Sequence, residues 1–588
     1  AYCTYNKCVD LMQKILAILK SIINELLIVF ILIILINNFI GNVDITIKAD
    51  GIGYYDYLPS IFIHHDLNRH NLKEIKEPEK FNRINSLGVY VRNNSLPVNK
   101  YPCGVAILEL PFFGTCRITN GETKTLDDGY QAPYQHFVFY AALFYLLLAI
   151  FFLKKILVLY NCNYTTIITA QLLLVLGTSV TDYVNFDASF SHIYSLFAIT
   201  AFIFFVKKYF ELKSFGMYFL ACIFLGLIIL IRPVNGMIVF IIPFLAGSVS
   251  KINEIFKYLL KHLPKTLLGL FTLLCIIAIQ PFLWYLQTGQ FFIYTYNGEK
   301  LNFLKPEVLN VLFSYKKGLF VYTPILLFCL TSLFWLLFKR KYYELVTSLL
   351  FLVVITFVIS SWSTWDYGGC FGLRAFVDYY SIFFILFALM FDKMVLWVKV
   401  IFLIPVIFLV YLNLVQTYQY KEYILHWLSM DKAKYWTVFM KTEDRYKGLL
   451  WKWEIDANKV EKVNEQKLGN YSLPAHCDTV LTKFSTSQLR DIDKINTFQV
   501  GLTSDFKDEN DAKIALTITD SSGKAVFYHD RYLLHFNSEG LNKRQAGLFN
   551  YILPQKFVNQ QYNVKLEAYT NSNKLDISDV TISIFSDK

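Results

Sequence analysis

Several segments of this chain carry side chains able to move a proton or hold an anion. The stretch 50–65 holds Asp50, Gly51, Gly53, Tyr54, Tyr55, Tyr57, His64 and His65, and it follows the first long apolar run, 22–40. Asp50 is a carboxylate just beyond a membrane surface, where it could act as a base. Gly51 and Gly53 would give the backbone around it an unusual path. Lys100, in Lys100-Tyr-Pro-Cys-Gly104, could reach a phosphate, or it could be a lysine snorkelling to the interface. Asp182 and Asp187 follow the third apolar run and His192 enters the fourth. Ionisable groups at that depth are usually paired or functional. Arg232, followed by Pro233, adds a cation or simply caps a helix pair. Lys316 and Lys317 meet either an anionic lipid phosphate or open solvent. Trp362, Trp365, Gly368, Gly369, Gly372 and Arg374 read as an aromatic belt or as close backbone approach to an anion. Carboxylate bases with phosphate-binding cations are what glycosyl transfer from a phosphate leaving group requires.

The elements that must position these residues are membrane helices. Of the 588 residues, 55% are hydrophobic, and the mean hydropathy is +0.40. The apolar residues gather in runs close to the ~20 needed to cross a bilayer. About eleven such runs are present, at 22–40, 136–153, 164–181, 190–206, 215–231, 236–249, 266–286, 321–338, 344–361, 377–391 and 396–415. The net charge of +11 does not imply nucleic acid, because much of the Lys and Arg lies in short loops between apolar runs. Lys7, Lys14, Lys154, Lys155, Lys207, Lys208, the segment 251–265, Lys339 to Lys341 and Lys393 then share one side, the cytoplasmic one. The loops 41–135, 287–320 and 362–376 and the C-terminal tail face outward. Arg232-Pro233 with Asn235-Gly236 breaks the chain between runs five and six.

From about residue 460 the pattern alternates with period two, in 497–502, 513–518, 562–568 and 580–585, with a turn at 520–523. This predicts a C-terminal all-β, sandwich-like domain over 456–588, behind a helical membrane domain over 1–455. It carries no catalytic constellation and reads as an accessory or recognition domain. The ten cysteines form no metal-binding spacing. Cys103 and Cys116 share one external loop and could pair there or remain free thiols.

Outside a membrane no nucleotide pool exists, so a transferase working there needs a donor delivered by a lipid. Taken together, Asp50 with Tyr54, the Lys100–Gly104 segment, Asp187 before the fourth run, and the Trp365–Arg374 loop resemble the GT-C superfamily. The resemblance is to bacterial relatives of protein O-mannosyltransferases and of the aminoarabinose transferase that modifies lipid A, over roughly 20–420. It implies a multi-pass protein of the bacterial inner membrane with a cytoplasmic N-terminus and a periplasmic C-terminal domain. It also implies metal-independent, inverting transfer of a sugar from a polyprenyl-phosphate donor to a protein, polysaccharide or lipid acceptor. Asp50 would be the base, Lys100 would touch the donor phosphate, and Asp187 would be the second acidic residue. His192, Arg232, Arg374 and Lys316 join the substrate-binding set on position and charge. Two positions depart from the family pattern: Gly51 stands where an acidic residue is frequent, and Cys103 replaces the second proline of a Lys-Pro-Pro-type motif. These departures leave room for a changed acceptor or for a silent GT-C-like subunit that binds a partner through its C-terminal domain. A lipid or solute transporter is a separate rival, and against it stand the lack of an inverted repeat of broken helices and candidate residues that all lie on one face.

Overall fold

The computed structural model describes residues 22–67, 90–93, 96–120, 128–296, 298–450, 460–489, 492–505, 512–536, 544–553, 561–570 and 574–587. Lys7 and Lys14, on which the orientation reading partly rests, lie outside the described residues. The chain divides into two compact units, 1–421 with 427–435, and 422–426 with 436–588.

The first unit is helical, and each of the eleven apolar runs forms helix. Among the described residues, seven helices are long and apolar enough to cross a bilayer: Ile22–Ile40, Ala132–Leu159, Ser191–Leu212, Leu263–Thr288, Tyr342–Ser360, Arg374–Phe391 and Leu396–Lys421. Pro233–Ala246 and Val249–Lys261, bent by 116°, would make an eighth if they count as one span. Tyr164–Leu176, Phe215–Ile231 and Ile325–Phe338 are apolar but shorter. At ~1.5 Å per residue such helices fall short of a ~30 Å hydrocarbon core. Local chemistry shortens them: Gly177 caps the first, Arg232-Pro233 ends the second, and Pro324 opens the third. Arg232 is extended, and the chain continues as the 3-10 turn Pro233–Ile241. Ser191–Leu212 and Arg374–Phe391 are the most enclosed of the long helices, and Leu263–Thr288 and Leu396–Lys421 are the most exposed.

One charged contact ties the first helix into the bundle. Glu25, fully buried, accepts from Lys154 Nζ at 2.5 Å and from Gln171 Nε2 at 2.7 Å. Three helices thus meet on one carboxylate in an otherwise apolar layer.

The second unit is a β-sandwich. Its strands, numbered after a small hairpin β1 (Tyr90–Asn93) and β2 (Leu96–Asn99), are β3 (Val460–Leu473), β4 (Cys477–Ser485), β5 (Ile495–Asp505), β6 (Lys513–Thr519), β7 (Ala525–Tyr532), β8 (Arg544–Ile552), β9 (Asn563–Thr570) and β10 (Leu575–Asp587). They form two antiparallel four-stranded sheets, ordered β3-β10-β5-β8 and β4-β9-β6-β7. Phe498, Val500, Leu516, Ile518, Val564, Leu566, Ile582 and Ile584 fill the space between them. The 520–523 turn is an Asx turn, in which Asp520 Oδ1 accepts from Ser522 N at 2.9 Å and Lys524 N at 3.0 Å.

Breaking a buried ion pair on one side strands the other charge and costs about 3–5 kcal/mol, whereas replacing both partners by apolar groups costs far less. Lys154→Met should therefore lower the thermal midpoint of the purified protein steeply. Glu25→Leu combined with Lys154→Met should regain much of the loss. Equal midpoints for the single and double variants would show that the pair is solvated.

Candidate functional site

The path into Asp50 is fastened before the residue is reached. Beyond Ile40, Gln135 Oε1 accepts from Thr46 N at 2.9 Å and Ile47 N at 2.7 Å, and Thr46 Oγ1 donates to Gln135 O at 2.7 Å. Ser189 Oγ donates to Thr46 O at 2.7 Å. Ala49 then adopts φ +45°, which a side chain tolerates only when its surroundings impose it. The short helix Asp50–Tyr55 begins directly after it.

Two glycines set what this helix touches. A Cβ on Gly51 would lie 1.7 Å from Ser189 Oγ and 2.6 Å from Ser189 Cβ. The position where the family pattern favours an acidic residue therefore has no room for a side chain in this fold. A Cβ on Gly53 would lie 2.1 Å from the Tyr101 ring. Tyr101 is held there because Asn99 Nδ2 donates to Gly53 O at 2.7 Å and Asn99 Oδ1 accepts from Tyr101 N at 3.0 Å. Tyr57 OH donates to Tyr101 O at 2.7 Å. The Tyr54 and Tyr101 rings pack with centroids 4.7 Å apart. Cys103 donates its backbone N–H to Gln280 Oε1 at 2.7 Å, a bond that proline could not make. Cys103 and Cys116 are both buried.

Asp50 Oδ2 lies 2.6 Å from Arg374 Nη1. Burial alone would push the Asp50 carboxyl upward. The Arg374 guanidinium, a hydrogen bond from Tyr101 and the more distant Lys100 charge outweigh that effect and hold it below the usual carboxylate value. Arg374 lies over the Phe190 ring and opens the 3-10 turn Arg374–Tyr379. Within that turn the fully buried Asp378 takes the opposite role. Its Oδ1 lies 2.8 Å from His192 Nδ1, and its Oδ2 accepts from Asn235 Nδ2 at 2.6 Å and Arg232 Nη1 at 3.4 Å. Tyr379 OH closes the group by donating to Asn235 Oδ1 at 2.9 Å. Tyr54 lies within the fields of Asp50, Arg374 and Arg232 and so joins the two ion pairs.

A third charged group flanks them. Asp187 lies 3.6 Å from Lys48, and Asp182 is buried beside it. Both Asp182 oxygens and Asp187 Oδ2 have no hydrogen-bond partner among the described residues. Burial raises the Asp182 carboxyl well above its ordinary value, and the Asp187 charge adds to that. Burial likewise raises Asp187, against the pull of Lys48 and Arg374. Burial lowers Lys48, against the pull of both carboxylates. Two buried carboxyls beside one half-buried lysine titrate as a unit.

Lys100 Nζ lies 2.7 Å from Glu299 Oε1 and over the Tyr296 ring. Trp362 Nε1 donates to Glu299 Oε2 at 3.2 Å. Lys316 stands apart from the Asp50 group: it pairs with Asp366, lies over Trp365, and its side chain is 39% exposed. Its neighbour Lys317 is the inward one, buried and donating to the carbonyls of Cys370 and Trp427.

The structure thus pairs Asp50 with Arg374, gathers His192 and Arg232 on Asp378, and pairs Asp187 with Lys48, Lys100 with Glu299 and Lys316 with Asp366. Sequence reasoning passed over Asp378 and Lys48 and gave no site role to Asn235, Tyr101 or Glu299, and it weighed Lys317 only together with Lys316. Asp378 had a usable signal, a carboxylate inside the apolar run 377–391. The others have ordinary loop contexts.

Overpacking at a tight contact costs about 1–3 kcal/mol. Gly51→Ala should lower the thermal midpoint, and Ser189→Gly in the same chain should restore much of it, since the clashing atoms are Ser189's own. A double variant no more stable than Gly51→Ala would show that helix Asp50–Tyr55 does not depend on this contact.

No family model matches the sequence, and no curated protein matches it. Among solved structures, the fold is similar to the archaeal oligosaccharyltransferase AglB from Archaeoglobus fulgidus, solved with an inhibitory peptide and a dolichol-phosphate. The TM-score is 0.39 and the identity 8%, over 71% of this chain and 57% of that one. It is also similar to the arabinosyltransferase EmbB from Mycobacterium smegmatis, with TM-score 0.33 and identity 10%, over 76% of this chain and 57% of that one. The chain spans less than two thirds of either neighbour's length. Both neighbours are named as glycosyl-transferring enzymes.

Proposed function

We propose that this chain is a membrane glycosyltransferase of the GT-C kind that moves a sugar from a polyprenyl-phosphate donor to an acceptor hydroxyl on the outer side of the membrane. The observation that carries this reading is the Asp50–Arg374 pair at 2.6 Å, set in a short helix between spans, with Tyr101, Tyr54, Lys100 and Arg232 gathered around it. The acceptor is a glycan, protein or lipid hydroxyl, and the C-terminal sandwich serves as a recognition or docking module.

In the proposed reaction the Asp50 carboxylate takes the acceptor's hydroxyl proton as that oxygen bonds to the anomeric carbon. The anomeric carbon–oxygen bond to phosphate breaks, and the lipid phosphate leaves with the electron pair. Its charge needs cations rather than a proton, and Arg374, Arg232 and Lys100 can supply them without a metal. Asp182 and Asp187, with Lys48 between their charges, flank the same group. The orientation that places these groups outside follows the lysine distribution, with the N-terminus cytoplasmic in a bacterial inner membrane.

Loss of a general base costs about 10²–10⁴ in rate. Asp50→Asn should therefore abolish transfer in a lipid-linked donor assay with expression intact, and full activity of that variant would overturn the assignment. Lys100→Met should raise KM for the donor more than it lowers kcat.

The sign of the pH effect follows from the ion pair. Asp50 works ionised, so activity falls as pH drops through its lowered value. Arg374→Gln removes the opposing charge and raises that value. The acid limb of the residual kcat/KM profile should therefore move to higher pH. A limb that stays in place would separate Arg374 from the base.

A further inference from the structure

The helix Val249–Lys261 turns away from Pro233–Ala246 by 116° and is capped by Ser248, whose Oγ accepts from Lys251 N at 3.2 Å. At 3.6 residues per turn its side chains sort into three faces. Ile252, Ile255 and Leu259 pack against the core of the helical unit. Beside them Val249, Phe256 and Leu260 form a stripe that is 59%, 61% and 55% exposed. The third face carries Lys257, Lys261 and, past Glu254, Lys251. Glu254 is engaged by Lys213, while no carboxylate pairs with Lys251, Lys257 or Lys261 among the described residues.

The apolar stripe does not stop at the end of this helix. Leu263 is exposed, and the following span exposes Leu267, Leu268, Leu270, Phe271 and Leu274. A surface continuous with the flank of a membrane span meets lipid. Lys257, which borders the stripe, can bury its stem along it and lift its ammonium group to the headgroups, while Lys261 and Lys251 lie further round the polar face. A protein-docking face would be built differently, because lysine is depleted at the cores of such interfaces.

We propose that Val249–Lys261 lies in the bilayer interface and binds anionic phospholipid headgroups through Lys251, Lys257 and Lys261. The stripe of Val249, Phe256 and Leu260 sinks into the acyl boundary, as in other amphipathic interfacial helices. This contact anchors the bend between the two apolar segments and makes the seating of the helix depend on lipid charge. It stands independently of the proposed catalytic reaction.

The test uses the full chain in nanodiscs, with hydrogen exchange followed in peptides covering 249–261. A lysine near an anionic surface strengthens attachment about fivefold. Exchange should therefore slow at least about tenfold in discs containing phosphatidylglycerol relative to all-phosphatidylcholine discs, and about 0.5 M salt should remove the difference. Lys251→Gln, Lys257→Gln and Lys261→Gln combined should exchange alike in both discs, with exchange of the β-sandwich unchanged as a control for folding. Protection independent of lipid charge would overturn the proposal, as would a triple variant that keeps the phosphatidylglycerol effect. Protection that appears only with two copies per disc would assign the face to a second chain and overturn it as well.

Discussion

The ion pair between Asp50 and Arg374 ties the short helix Asp50–Tyr55 to the turn Arg374–Tyr379, and the neighbouring segments are arranged around it. Placing both charges where little water reaches them carries a desolvation penalty, which only good geometry and extra hydrogen bonds offset. The structure meets that requirement from several directions. Gln135 and Ser189 fix the backbone ahead of Asp50, and Tyr101 points its hydroxyl at the carboxylate. On the other side Lys317 holds the carbonyl of Cys370, and Tyr183 OH donates to Phe371 O at 2.9 Å, so the loop leading to Arg374 is pinned just before the guanidinium. The turn Arg374–Tyr379 then reverses the pattern by offering Asp378 to Arg232 and His192. One short segment thereby presents a cation to the Asp50 helix and an anion to the break after Phe215–Ile231. Neither charge is left alone.

Much of the fold was legible in the sequence because the physics acting on it is short-range. Apolar runs of about bilayer length appear as helices whatever surrounds them. In the sandwich, the alternating stretches 497–502, 513–518, 562–568 and 580–585 fall in β5, β6, β9 and β10, which are the two inner strands of each sheet. An inner strand has one face wholly against the opposite sheet, so its alternation is clean. β3, β4, β7 and β8 are the outer strands, and the irregular burial along β3 and β7 leaves little period-two signal there. The crossing count was less legible, because length in residues does not reveal where Gly177, Arg232 or Pro324 shortens a helix.

The cluster was legible in its charges and obscure in its pairings. Asp50, Lys100, Asp187 and Arg374 could be picked out as ionisable groups near apolar boundaries. That Arg374 rather than Lys100 sits on Asp50 is a tertiary fact. So is the exchange of roles at 316–317, where the buried lysine is the second of two identical neighbours. The departures at Gly51 and Cys103 also change meaning once the packing is visible. Gly51 is small because Ser189 occupies the space where a side chain would stand. Cys103 is not proline because its N–H is needed by Gln280. Each departure has a packing cause, so neither requires that a reaction was lost.

Arg374 has two claims on it if the cluster transfers a sugar from a lipid phosphate. In the described arrangement it holds Asp50 ionised and weakly basic, which suits a resting site and not a base poised to accept a proton. A guanidinium has five N–H donors in a fixed plane, so a phosphate can take one edge while a carboxylate keeps another. The charge it lends to the carboxylate must then be shared. Entry of a phosphate would draw Arg374 toward the leaving group, relax its hold on Asp50 and let burial raise that carboxyl toward a more useful basicity. Lys100 lies under the same constraint, since Glu299 must yield part of it before it can meet an anion. Arg374, Arg232 and Lys100 are thus all held by carboxylates in the described arrangement. An incoming donor would have to displace those partners before the base is released, and that ordering protects an exposed sugar phosphate from transfer to water.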